Sequence, residues 1–173
     1  MTVERQEILE KAFNLAKKYE MENGDCAQCV FAGVTEALGM ENNDVFRAAT
    51  GFADGIGLTG DGHCGALSGG VMAISLIFGR KRDEFGRRGK MMKALLLSRE
   101  LQSRFKTKYG TCRCYDIQTK FHGKFFNLFD AAEMEAAVKA GLVETCSTLA
   151  GDVARITLEL IMEQQDKDTA KTS

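Results

Sequence analysis

The sequence has no proline and no tryptophan, and it has only two histidines among its 173 residues. Proline is the strongest helix breaker, so in its absence glycine, with 18 copies, has to separate the secondary-structure elements. No apolar run approaches the roughly 20 residues that cross a bilayer. The N-terminal stretch is charged and lacks the apolar centre of a signal peptide. We therefore expect a cytoplasmic protein without membrane insertion.

An excess of charge of one sign is also missing. The chain carries 23 basic and 24 acidic residues, which gives a net charge of −1. This near-balance gives no general reason to expect a nucleic acid or an anionic membrane as a partner, and we predict no nucleic-acid binding. The basic cluster between Arg80 and Lys90 is interpreted as a solvated helix junction, with an anionic partner as the alternative.

Apolar residues recur at helical spacing along most of the chain, and no strand pattern is present. Eight of the 18 glycines lie between Gly51 and Gly70, which predicts a glycine-rich loop that leads into a buried central helix, Cys64 to Phe78. The fold class is therefore all-α, a single compact bundle of about five to seven helices in residues 1–165, followed by a disordered tail, residues 166–173. The other predicted helices are Val3–Met21, Cys26–Leu38, a segment from Asn42 or Asn43 through Ala49, Lys90–Tyr109, Asp130–Ala140 and Leu142–Gln164. A further short helix could open at Cys112 and Cys114, and it is not counted among the seven.

Six cysteines are the main candidates for chemistry. In a reducing compartment, cysteines indicate metal binding or redox chemistry more often than permanent disulfides. Cys26 and Cys64 each fall in the first turn of a predicted helix, where free N–H groups and the helix dipole stabilise a thiolate. The alternative is that cysteine is simply a small apolar residue that packs in the core.

Two close pairs of cysteines add weaker signals. Cys26 and Cys29 form a CxxC, the spacing of dithiol redox sites and of half a zinc site, but no strand precedes it as thioredoxin chemistry requires. Cys112 and Cys114 form a CxC. His63 directly precedes Cys64 and could lower its pKa or supply a ligand nitrogen, although neighbours in sequence often point apart.

A GxGxxG motif spans Gly55 to Gly60. Dinucleotide binding by such a motif requires a strand before it and a helix directly after it. Neither is predicted here, and no GK[ST] follows, so we expect no nucleotide cofactor.

The segments around the cysteines carry a family resemblance. They are DCAQCV with Cys26, GFADGIGLTGDGHCGALSGG with Cys64, KYGTCRCYDI with Cys114 and ETCSTLAGDVARI with Cys146. From about Ala12 to Ile161 the chain resembles the C_GCAxxG_C_C family of redox-active proteins. The resemblance implies a small helical protein and directs attention to these four cysteines, with Cys29, Cys112 and His63 as second-tier candidates.

These residues leave three functions open. In the first, Cys26, Cys64, Cys114 and Cys146 act as redox thiols and metal ligands that hold an iron–sulfur cluster or zinc, for electron transfer with an unidentified redox partner protein. The second is metal-free thiol–disulfide exchange. The third is a non-catalytic helical adaptor with packing cysteines. The small-residue faces leave room for a homodimer, and the sequence does not decide whether the protein is an enzyme.

Overall fold

A computed structural model describes residues 3–172, which form α-helices and short 3₁₀ turns, with one isolated β-bridge and no strand in that part of the chain. The all-α prediction is confirmed. Eight α-helices lie within these residues, one above the predicted range, because the segment that begins at Cys114 forms a complete helix. The helices are α1 (Val3–Asn23), α2 (Cys26–Ala37), α3 (Asn43–Ala49), α4 (Gly65–Phe78), α5 (Met92–Tyr109), α6 (Cys114–His122), α7 (Ala131–Lys139) and α8 (Leu142–Thr172).

Side-chain caps define the starts of three helices. The Asp25 carboxylate accepts a hydrogen bond from the Gln28 N–H at 3.2 Å, which begins α2 as predicted. Asn42 caps α3 and Asp130 caps α7 in the same way. The fifth helix begins at Met92 rather than at Lys90, because residues 88–91 form a 3₁₀ turn.

Helix α4 lies at the centre of the core, as its all-round apolar sequence predicts. It packs against α2, α5 and α8, and α1 packs across α2 and α8 on the other side. Gly69 of α4 meets the backbone of Ala27 in α2, and a Cβ at Gly69 would overlap the Ala27 carbonyl. This close approach of two backbones sets the position of the start of α2 relative to α4.

The last helix is longer than predicted. It continues to Thr172, so residues 166–172 are helical where the sequence led us to expect a disordered tail, and Ser173 lies outside the described residues. Ion pairs from Arg5 to Asp166 at 2.6 Å and from Lys93 to Asp168 at 2.7 Å join this final stretch to other helices. Between residues 3 and 172, no helix combines the length and the apolar character needed to cross a membrane.

Candidate functional site

Pairing between two loops brings distant cysteines together. The glycine-rich loop runs beside the segment before α6, and an antiparallel bridge joins His63 to Arg113. The Cys64 N–H donates to the Cys112 carbonyl at 2.8 Å, and the Cys114 N–H donates to the Gly62 carbonyl at 3.1 Å. This pairing places Cys64 and Cys114 in adjacent chain segments although 50 positions separate them in sequence.

The thiols of Cys26 and Cys64 are in contact. Cys26 is the first residue of α2 and Cys64 is the N-cap of α4. Their side chains share a hydrogen bond. Gly65 makes this contact possible, because a Cβ at that position would collide with the Cys26 Sγ.

Cys114 belongs to a buried polar network. Its thiol donates to the Asp54 Oδ1 at 3.0 Å, and the side-chain amide of Gln118 donates to the same oxygen. Gln118 also accepts a hydrogen bond from the Phe126 N–H at 3.2 Å. The network fixes the direction of the Cys114 side chain, because each of its partners is held by a second contact.

Asp54 has an unusual backbone and an unpartnered oxygen. Its φ is 46°, in the left-handed region that residues other than glycine rarely adopt. Its side chain is buried, and the second carboxylate oxygen, Oδ2, has no hydrogen-bond partner among the described residues. Strained, buried polar residues of this kind concentrate at functional sites.

A single cavity of about 210 Å³ is lined by the four cysteines that the family resemblance singled out. Asp54 and Glu20 also line the cavity, and most of its other lining residues are apolar. Cys146 reaches this cavity from α8, where it is half-buried. The apolar lining residues come from α6, α7 and α8, among others, and they include Ile117, Met134, Val138, Leu142 and Leu149.

Three of the cavity thiols, those of Cys26, Cys114 and Cys146, have raised pKa values that favour the protonated form. The pKa of Cys26 is raised well above its ordinary value, first by the hydrogen bond with Cys64 and second by burial. Burial is also the largest cause of the raised pKa of Cys114 and of Cys146. The expected stabilisation of a Cys26 thiolate by the helix N-terminus is therefore wrong, because loss of hydration and the neighbouring thiol outweigh the helix dipole.

The second-tier residues Cys29, Cys112 and His63 do not line this cavity. Cys29 is buried, and its thiol donates to the Gly24 carbonyl at 2.9 Å. Cys112 and the exposed His63 line a separate surface depression beside Arg113. The CxxC and the CxC are therefore each split, with one member at the cavity and the other outside it.

Two carboxylates at the cavity were not identified from the sequence. Burial raises the pKa of Glu20 to about 7, and one of its oxygens has no partner among the described residues. The sequence did contain an indication that Glu20 faces inward. Glu20 follows Ala12 and Ala16 at four-residue spacing, and these two alanines are buried on the inner face of α1. Asp54 gave no such signal, since an aspartate before a glycine is also a common turn residue.

Within residues 3–172, no group of three or more histidine, cysteine, aspartate or glutamate side chains is arranged to hold a single metal ion. The four thiols share one cavity without such a single-ion arrangement. The arrangement can accommodate either a group larger than one ion or the pairing of two thiols.

Comparison with known proteins supplies a family but no individual relative. Residues 24–160 match the model of the C_GCAxxG_C_C family, whose description is "Putative redox-active protein (C_GCAxxG_C_C)". No curated protein and no solved structure matches the chain. The match covers more than half of the chain and includes all four cavity cysteines. The chain belongs to the C_GCAxxG_C_C family of redox-active proteins.

Proposed function

We propose that this redox-active protein transfers electrons through an iron–sulfur cluster held by Cys26, Cys64, Cys114 and Cys146. The observation that carries the proposal is the convergence of these four thiols on one cavity. They come from α2, α6, α8 and the residue before α4, so their convergence depends on the whole fold. Four thiolates are a complete ligand set for a [2Fe–2S] or a [4Fe–4S] cluster.

The lack of a single-ion arrangement among the described residues favours a cluster over zinc. In a zinc site with Zn–S bonds of about 2.3 Å, tetrahedral geometry brings the sulfur atoms to within about 4 Å of one another. No three potential ligands among the described residues have a single-ion arrangement. A cluster has more than one iron to bind, so the four thiolates that line this cavity of about 210 Å³ would not all have to meet at one ion.

The surroundings of the cavity suit electron transfer more than substrate turnover. The wall formed by Ile117, Met134 and Leu142 is apolar, which limits the access of water to a bound cluster. Protonated thiols lose their protons when they bind iron, and the metal charge then compensates the buried thiolates. A bound cluster would supply the electron-transfer chemistry, and the four cysteines would hold it.

A second candidate function is favoured by the contact between Cys26 and Cys64. In this alternative one thiol loses its proton, and its sulfur attacks a disulfide of a partner protein. That S–S bond breaks, and the released partner thiolate takes up a proton. The other cysteine then attacks the mixed disulfide, which leaves a Cys26–Cys64 disulfide and a fully reduced partner. The raised pKa of Cys26 makes this attack slow near neutral pH.

Metal analysis of anaerobically purified protein tests the proposal. We expect iron and acid-labile sulfide in equal amounts, little zinc, and visible absorbance that disappears on reduction. Cys64→Ser should lose most of the iron. Cys112→Ser is the matched control, because Cys112 takes part in the same loop pairing but its side chain lies outside the cavity. The Cys112→Ser protein should keep its iron.

Counting free thiols across a redox titration separates the two candidates. If the protein stays free of iron after reconstitution with iron and sulfide, the cluster proposal is wrong. The exchange function is supported instead if two free thiols per chain are lost on oxidation and regained on reduction in the wild-type protein. The same reversible loss should then be absent from the Cys26→Ser protein. Retained iron with no reversible thiol loss supports the cluster alone.

A further inference from the structure

The near-zero net charge conceals an uneven distribution. Residues 80–93 contain seven basic and two acidic side chains, whereas the rest of the chain contains 16 basic and 22 acidic ones. A segment of 14 residues is therefore strongly positive on a protein that is otherwise negative. Such local asymmetry determines where an anionic partner would approach, even though the net charge does not.

The structure leaves most of these cations unneutralised. Arg82, Arg87 and Arg88 are exposed, and none of them forms an ion pair within residues 3–172. Within the segment, Glu84 forms its ion pair with Lys90 at 3.5 Å. A guanidinium without a carboxylate partner retains its full capacity to bind a phosphate.

Large apolar side chains lie within and directly after this segment. Phe85 is 65% exposed, and the guanidinium groups of Arg80 and Arg82 stack on its ring at 4.6 Å and 5.3 Å from the ring centre. At the start of α5, Leu95 and Leu96 are more than half exposed, and Met92 is also exposed. We call residues 80–93 together with Leu95 and Leu96 the basic–apolar patch.

We infer that the basic–apolar patch docks the protein on the surface of an anionic phospholipid bilayer. Clusters of four to eight Lys and Arg side chains bind anionic lipid surfaces, and adjacent apolar side chains enter the boundary between headgroups and acyl chains. The patch supplies both elements. A nucleic acid would use the cations but would leave Leu95 and Leu96 exposed to water, since its backbone offers no apolar surface.

The patch serves docking rather than electron transfer. It lies beyond the C-terminal end of α4, whereas Cys64 lies at the N-terminal end of that helix. A helix of 14 residues is about 21 Å long, so the patch is far from the cysteine cavity. The inference therefore does not depend on the nature of the redox group, and a bound protein would keep the cavity away from the bilayer surface.

Sedimentation with lipid vesicles tests the inference on the full-length protein. We compare vesicles of phosphatidylcholine alone with vesicles that contain about 30% phosphatidylglycerol, at about 0.05 M and about 0.5 M salt. Wild type should bind only the anionic vesicles, and much more weakly at the higher salt concentration. The double substitution Arg87→Gln and Arg88→Gln should weaken binding about thirtyfold.

Two further variants make the test specific. The matched control neutralises two other exposed cations, Lys18→Gln and Arg47→Gln, and should bind like wild type. Phe85→Ser keeps every charge but should also weaken binding, because it removes an apolar side chain that enters the bilayer. The inference is overturned if wild type does not bind, if neutral vesicles bind equally well, or if the control loses as much affinity as the arginine variant. Preference for duplex DNA or for a polyglutamate peptide over anionic vesicles would also overturn it.

Discussion

The substitution Gly69→Ala tests the contact that places α2 against α4. A Cβ at Gly69 would overlap the Ala27 carbonyl oxygen and would lie 3.0 Å and 3.1 Å from two other backbone atoms of Ala27. Because these atoms belong to the backbone of another helix, no rotamer change can relieve the overlap, and α2 has to move relative to α4.

The expected loss of stability is the difference between two effects. Overpacking in a core costs about 1–3 kcal/mol, and a contact with backbone belongs at the upper end of that range. Alanine gains about 1 kcal/mol over glycine in helix propensity. We therefore expect Gly69→Ala to lower the free energy of unfolding by about 2 kcal/mol, even though alanine is the better helix former.

Urea denaturation of the reduced, metal-free protein measures this effect. With a slope of about 2 kcal/mol per molar urea, the midpoint should fall by about 1 M. The matched control is Gly51→Ala, because an added Cβ at Gly51 meets no atom within 4 Å. The control should shift the free energy of unfolding by less than about 0.5 kcal/mol. Equal midpoints for Gly69→Ala and wild type would refute the close approach of the two helices.

Two further predictions concern the polar groups at the cavity. Because burial raises the pKa of Glu20 from 4.5 to about 7, its ionisation disfavours the folded state, and this effect grows as pH rises from 4.5 and is complete above about 7. Urea denaturation of the metal-free protein should therefore show Glu20→Gln more stable than wild type at pH 8, by up to about 3 kcal/mol, with a much smaller difference at pH 4. The exposed Glu22→Gln should show no such trend, and a constant difference for Glu20→Gln across this range would contradict the pKa shift. Gln118→Leu removes the donor to Asp54 and the acceptor for the Phe126 N–H. Thermal denaturation should therefore show that the free energy of unfolding falls by about 3 kcal/mol. The control Gln165→Leu, at an exposed position, should lower it by less than about 0.5 kcal/mol. A Gln118→Leu protein as stable as wild type would show that the network is not formed in solution.

Most helix positions could be predicted because their causes are local. Asp25 and Asp130 are good N-caps wherever they occur, and glycine after an apolar pattern ends a helix without help from distant residues. The buried position of α4 followed from its apolar character on all sides. The helical state of residues 166–172 could not be predicted, because polar residues there form ion pairs with distant side chains such as Lys93.

The candidate site was only partly predictable. The family resemblance selected Cys26, Cys64, Cys114 and Cys146, and all four line the cavity. The sequence could not show that Asp54 lies beside Cys114, because 60 positions separate the two residues and only the loop pairing brings them together. The sequence also predicted a stabilised Cys26 thiolate, whereas the pKa of Cys26 is raised. The helix dipole can be predicted from the local sequence, but burial depends on distant residues.

The sequence by itself determined the all-α class, the starts of most helices and the family of redox-active proteins to which the chain belongs. These properties depend on residue type and short-range spacing. Tertiary structure alone decided which cysteines share the cavity, that Cys26 contacts Cys64, and that the pKa values of Cys26, Cys114 and Cys146 are raised. The physical reason is that contact and dehydration arise from the packing of distant helices, in which the Gly69 approach and the loop pairing at Cys64 set the geometry.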